Sequence, residues 1–410
     1  TGSYNTAVGK SALTENTTAN NNTAVGYDAL TANTTASNNV AVGYAALTTN
    51  TTGNENVAMG RSALTSNTTG TSNAAVGTEA MEDNTTASQN AAFGQQALRK
   101  NTTGTNNTAV GFQALDANTT ASNNTAVGAS ALGANTTGDY NTAFGKSALT
   151  AETTGQTNDA FGYNAGASIT TGTTNVVVGS FSMDSGGTQT GSGNTHIGHS
   201  GSRVLTSGNH NSSVGISALE GCTTGVNNTV VGRAAGAVIT SGGNNICIGA
   251  YAGLANQPTT AITTQSNQIV IGNQDSTNAH IQIDWTVASD KRDKTDVTPL
   301  DMGLSFINKL EPVTYKWDKR GKYEEGETPD GTHKESWTDV GFLAQDVEKI
   351  EAEFGHKIED ETNLTTYMSE DESSYGLTYA KFIPMLVKSV QELSTQVDEL
   401  KSELLALKGE

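Results

Sequence analysis

Few places in this 410-residue chain bring reactive side chains together, and the densest is Ala288-Ser289-Asp290-Lys291-Arg292-Asp293-Lys294. On residue types alone, one hydroxyl among three cations and two carboxylates, the stretch reads as a charged, solvated turn after the last repeat. A second candidate is Thr195-His196-Ile197-Gly198-His199. Two imidazoles there suit a metal on a symmetry axis, where several chains supply ligands that one cannot; the plainer reading, surface or turn histidines, is preferred, and no metal or other cofactor is expected. Scattered acids such as Glu15, Asp28, Glu55, Asp116 and Asp139 show no pairing of the kind glycan hydrolysis needs. Cys222 and Cys247 make no disulfide framework.

The elements that must position these groups follow from an internal repeat. Asn5-Thr6-Ala7-Val8-Gly9 returns with small changes to end at Gly26, Gly43, Gly60, Gly77, Gly94, Gly111, Gly128, Gly145, Gly162 and Gly179, ten intervals of 17 residues. The series continues at Gly198, Gly215, Gly232, Gly249 and Gly272, with intervals of 19, 17, 17, 17 and 23, giving about sixteen turns. Each turn runs from a small apolar strand through Gly to an apolar pair (Ala12-Leu13) and a polar Asn16-Thr17-Thr18. Strands of about five residues with no room for a helix predict one coil of a β-solenoid per repeat, its edges satisfied only by stacking. At about 4.8 Å per stacked strand the array is a rod of roughly 75 Å. Asn-Thr-Thr recurs at Asn33, Asn50, Asn67, Asn84, Asn101, Asn118 and Asn135 and matches the glycosylation sequon, but is read as a turn in which Asn takes the left-handed conformation. The calcium-solenoid pattern Gly-Gly-x-Gly-x-Asp is absent.

Composition divides the chain at Ser289. The first 288 residues hold 14 acidic and 7 basic side chains, the last 122 hold 27 and 15, so the net charge of −19 is shared as −7 and −12. Acidity in both parts disfavours nucleic acid as a partner. No apolar run is long enough to span a membrane and no signal peptide is visible, so the chain reads as soluble.

One turn carries little apolar surface, about four side chains of which two are Ala, so association of chains is expected. The Asn-Thr-Ala-Val-Gly and Ala-Leu turns resemble the head repeats of trimeric autotransporter adhesins and similar repeats in phage fibres, with a longer period. That resemblance covers residues 1–272 and implies a trimeric β-roll.

Beyond Ile281-Gln282-Ile283-Asp284-Trp285, which alternates like a strand, the texture changes. The motifs are Ser289-Asp290-x-Arg292, Leu310-Glu311-Pro312-Val313-Thr314-Tyr315, Gly341-Phe342-Leu343-Ala344-Gln345-Asp346-Val347 and Tyr375-Gly376-Leu377-Thr378-Tyr379. In this order they resemble the self-cleaving C-terminal intramolecular chaperone of phage tailspikes and tail fibres, the endosialidase type. The resemblance implies cleavage of the Ala288–Ser289 bond, with Ser289 as nucleophile and Lys294 as base. Lys294 must then lose its proton; Lys291 and Arg292 push that way, Asp290 and Asp293 push back. Five residues apart, two side chains lie on opposite faces of a strand and about 140° apart on a helix. A turn between them, or a partner subunit, is required, and Lys291, on the strand face of Ser289, stands as an alternative base. Gln345 and Asp346 are read as structural, at the start of a helix; Asp318–Thr338 reads as a solvated loop or hairpin.

Ile383, Leu386, Val390, Leu393, Val397, Leu400, Leu404 and Leu407 are spaced 3, 4, 3, 4, 3, 4, 3, the a and d positions of a coiled coil. Their residue types lean toward two strands, but a short terminal coil follows the symmetry of the domain it leaves, and a trimer is expected. The organisation is therefore a mainly β solenoid shaft (1–272), a linker (273–288), a small α+β chaperone domain (289–380) and a coiled-coil helix (381–410). The expected function is a homotrimeric tail fibre or tailspike of the virion, assembled in the host cytoplasm, touching a host surface receptor or glycan. A non-cleaving trimeric adhesin or structural fibre with a permanent C-terminal cap is the alternative of a different class, and an ice-binding solenoid with a flat Thr ladder a further one.

Overall fold

The computed structural model describes all residues except 1, 255–260, 274, 277–278, 281, 283–286, 324–327, 369–373 and 410. The segment from Ile281 to Trp285, read above as a strand, lies outside the described residues apart from Gln282. Two compact units are present, one of Thr1–Leu254 with Ala261–Asn273, the other including Gln274–Glu410.

The first unit is a β-solenoid. Sixteen strands, from β1 (Thr6–Val8) and β2 (Thr23–Val25) to β16 (Ile269–Ile271), form one parallel sheet in chain order. Each has three residues rather than about five. Registry follows the repeat, Thr6 against Thr23 and Ala7 against Ala24, and the long intervals leave it unbroken, since Val176 pairs with Thr195 and Ile246 with Ile269. The two extra residues of the 19-residue interval lie outside the strands.

Gly ends each strand for a steric reason. Gly26 has φ +141°, and a Cβ there would stand 2.3 Å from the Gly43 carbonyl oxygen of the next turn. In most turns three other residues are left-handed without being Gly, as at Asp28 (φ 54°), Leu30 (φ 52°) and Asn38 (φ 63°), and in later turns a Gly such as Gly166 or Gly236 takes one of the three places. Such non-Gly residues cost about 1 kcal/mol or more each, so a turn cannot hold its shape alone. Stacking offsets the strain: the Leu30 N–H donates forward to Ala46 (3.0 Å) and the Asp28 N–H back to Lys10 (3.0 Å).

The interior of a turn holds two Ala and one Leu, as Ala24, Ala29 and Leu30, joined by buried asparagines. The Asn-Thr-Thr asparagines face inward, which corrects the turn reading. None has positive φ, and Asn33 to Asn135 are fully buried. They stack as an amide ladder in which Asn84 donates to Asn67 (2.8 Å) and accepts from Asn101 (3.1 Å). That geometry leaves no accessible amide for a glycan from Asn33 to Asn135. A second ladder stands at the strand starts, where the side-chain oxygen of Asn22 accepts from the Asn39 backbone N–H (2.9 Å). The adjacent threonine hydroxyls are also engaged, Thr85 donating to the Thr102 carbonyl (3.0 Å).

The second unit is small and mixed. Helix α1 (Leu304–Ile307) is followed by the antiparallel pair β17 (Val313–Tyr315) and β18 (Asp339–Gly341), helix α2 (Ala344–Glu353), the antiparallel pair β19 (Thr366–Met368) and β20 (Tyr375–Leu377), and helix α3 (Phe382–Lys408). Its fully buried apolar core is Met302, Phe306, Val347, Phe382 and Met385 among the described residues. Two carboxylates tie the elements together. Glu351 of α2 is buried and accepts from the backbone N–H and hydroxyl of both Thr365 and Thr366, while Glu392 of α3 accepts from the Leu304 N–H (2.7 Å) at the start of α1. In the solvated insert, the Tyr323 hydroxyl donates to Asp318 (2.8 Å).

Candidate active site

Ser289 and Lys294 meet because the chain between them makes a single 3₁₀ turn. Asp290 is extended (φ −68°, ψ 132°), Lys291–Asp293 form the turn, and Lys294 is extended again. A 3₁₀ turn advances about three residues per revolution, so the side chains flanking it come back to one side. The Lys294 ammonium donates to Ser289 Oγ at 2.6 Å. Among the described residues Lys291 makes no such contact, so of the two candidate bases the geometry favours Lys294.

The turn has its own lock. One Asp290 carboxylate oxygen accepts from the Arg292 backbone N–H (2.9 Å), an N-cap, and both oxygens accept from the Arg292 guanidinium (3.1, 3.2 and 2.6 Å). The Arg292 side chain beside it holds the Asp290 carboxyl below the usual carboxylate range. Ala288 through Lys294 are all exposed.

The downstream motif residues lie in the body of the unit. Gly341 ends β18 because a Cβ there would stand 2.4 Å from Tyr379 Oη. Tyr379 uses that space: its hydroxyl accepts from the Phe342 N–H (3.1 Å), and Phe342 stacks against Phe382 (5.5 Å). Ala344 opens α2; Gln345 and Asp346 are exposed, with Asp346 paired to Lys349 (2.9 Å). Tyr379, Glu351 and Glu392 carry these contacts and had no assigned role from sequence. The only signal for Tyr379 was its place at the end of the Tyr-Gly-Leu-Thr-Tyr motif.

The heptad residues Ile383, Leu386, Val390, Leu393, Val397, Leu400, Leu404 and Leu407 are all exposed in one chain, whereas Phe382, Met385 and Ser389 of the same helix are buried. Two faces of α3 thus differ: one covers the unit's own core and the other stays exposed among the described residues.

The two histidines part company, which removes the shared metal reading. His196 is fully buried inside the solenoid, its Nδ1 2.6 Å from Ser213 Oγ and 2.7 Å from Ser202 Oγ, and burial pushes its pKa down to about 3. His199 instead packs edge-on against Phe181. No group of three or more metal-ligating residues is present among the described residues. The isolated thiols of Cys222 and Cys247 are buried and pushed up to about 11 by that burial.

Comparison with known proteins converges on this region. A family model for Peptidase S74, the chaperone of endosialidase, matches residues 289–356, starting at Ser289. No curated protein matches the chain. Among the described residues no helix is long and apolar enough to cross a membrane.

Proposed function

We propose that the protein is a homotrimeric fibre or tailspike shaft whose C-terminal unit aligns three chains, drives their folding and then releases itself by cutting the Ala288–Ser289 bond. The observation that carries the chemistry is the 2.6 Å contact between Lys294 Nζ and Ser289 Oγ. With the amine neutral, the same contact lets Lys294 take the hydroxyl proton. Oγ attacks the Ala288 carbonyl carbon, the amide nitrogen of Ser289 leaves with a proton from Lys294, and an ester joins Ala288 to Ser289 Oγ. Water hydrolyses it, giving an Ala288 carboxylate and a chain that begins at Ser289 with its hydroxyl restored. Nucleophile and carbonyl belong to adjacent residues, which supports effective molarities of about 10⁵ M or more once geometry is held.

Two surfaces support association. The third residue of each strand points outward and is apolar throughout, and Met59, Phe93, Phe144, Phe161, Ile197 and Ile271 are among those exposed. Such a continuous column exceeds what a lone soluble chain usually leaves to water. The exposed heptad stripe of α3 is the second. Nearly identical turns let chains mispair by a whole turn at little cost, and a C-terminal trimeriser removes that freedom by fixing the chain ends. Cleavage afterwards makes the assembly kinetically stable. A host surface receptor or glycan is the expected contact of the finished shaft.

Denaturing gels and intact mass test the chemistry. The wild type should yield fragments of about 28 and about 14 kDa, Ser289→Ala and Lys294→Ala should stay whole, and hydroxylamine should trap Ala288 as a hydroxamate. An uncleaved wild type that is nonetheless trimeric refutes the dyad and makes the tail a permanent cap.

A further inference from the structure

The Ser-Asp-x-Arg stretch contains two residues that touch neither the scissile bond nor Lys294, yet their contacts are the most specific of the exposed segment. We infer that Asp290 and Arg292 form a positioning clamp for self-cleavage: Asp290 caps the 3₁₀ turn, Arg292 pins the capping carboxylate, and the turn they hold is what delivers Lys294 to Ser289. The inference rests on the self-cleavage reading above.

The geometry is economical. A three-residue turn has almost no stability of its own, since its closing bonds, Asp293 N–H to Asp290 O (3.2 Å) and Lys294 N–H to Lys291 O (3.3 Å), are long and open to water. The cap from Asp290 to the Arg292 N–H (2.9 Å) adds a charge-assisted bond at the start of the turn. The guanidinium of the same Arg292 then grips both oxygens of that carboxylate. One residue pair therefore fixes the backbone and the side chain that caps it. Without the clamp the segment returns to an extended chain, where residues five apart face opposite ways. The clamp also neutralises Asp290 beside a lysine that must give up its proton, so the carboxylate acts on the turn rather than on the amine.

The test uses the full chain and follows the appearance of the 14 kDa fragment (mass on the order of that of 122 residues) against pH, with oligomeric state recorded for each variant. Asp290→Ala should slow cleavage about 10- to 100-fold, as expected for a misplacement of the order of 1 Å, while the pH at half-maximal rate stays that of the wild type and the chains still assemble. Arg292→Ala and Asp290→Asn, each of which keeps the cap but loses the two-pronged grip, should fall between Asp290→Ala and wild type. Should Asp290→Ala not assemble, the Asn and Arg variants carry the same comparison. Wild-type rates in all three variants overturn the clamp. A moved pH midpoint with an unchanged maximal rate also overturns it, because Asp290 would then tune the amine. A wild type that never cleaves sinks the self-cleavage reading itself, a result distinct from either.

Discussion

The shaft and the C-terminal unit face the same shortage of apolar surface and meet it in opposite ways. In the shaft a typical turn buries two Ala and one Leu, and two asparagine ladders fill what remains with hydrogen bonds that only another copy of the turn can complete. The C-terminal unit repeats nothing: among the described residues five buried apolar side chains form its core, and each long-range tie, Glu351 to Thr365 and Thr366 or Glu392 to Leu304, is made once. Repetition gives length with little information about which turn belongs beside which on a neighbouring chain. Unique contacts give that information but little core. Each unit thus lacks what the other holds.

Breaking the unpartnered stripe of the C-terminal unit should have the largest effect. Leu393→Asp with Leu400→Asp replaces residues exposed in a single chain, so the unit should keep its fold while self-association is lost, as read by sedimentation. Persistence of the oligomer would mean that α3 is not the seam.

Glycine separates the two regions next. Gly94→Ala puts a Cβ 2.4 Å from the Gly111 carbonyl oxygen at φ +141°, whereas Gly355→Ala in the C-terminal unit, at φ +86°, meets nothing within 4 Å. The first should cost upwards of about 3 kcal/mol and open the neighbouring turns to hydrogen exchange, the second about 1 kcal/mol. Equal costs would show that stacking does not dictate the shaft backbone.

The smallest expected effect is a pH dependence within the ladder. Glu152 stands where the repeat puts asparagine, fully buried; Oε2 accepts from Asn158 (3.0 Å), and desolvation raises its pKa to about 8. Raised above its ordinary value of 4.5, it lets the shaft keep full stability below that pH and lose it as pH rises through about 8. Glu152→Gln should therefore raise the unfolding midpoint near pH 9 and change little near pH 4. A difference independent of pH would remove the carboxyl from the explanation.

Much of this was legible in the sequence, for physical reasons that vary by residue. The period of 17, the two long intervals and the exposed heptad face follow from spacing, and spacing survives folding unchanged. Leu30 in the left-handed region was not legible, because nothing in a leucine announces φ of 52°; the stacked turns impose it. Asn84 and its equivalents read as turn residues because Asn tolerates the left-handed conformation. The overlooked signal was the period itself: the same amide at the same depth of every turn supplies its own partner. At the candidate site the family resemblance pointed to Ser289 and Lys294 and strand geometry left Lys291 as an alternative, whereas the contact of Lys294 with Ser289 across a single turn is one that spacing does not encode.

The most direct test of the account removes residues 289–410 and measures the mass and oligomeric state of the shaft made without them, beside the wild type. The account predicts monomers and heterogeneous, out-of-register assemblies with the tail absent, against a uniform trimer of released shafts in the wild type. A uniform trimer formed equally well by residues 1–288 alone would contradict it.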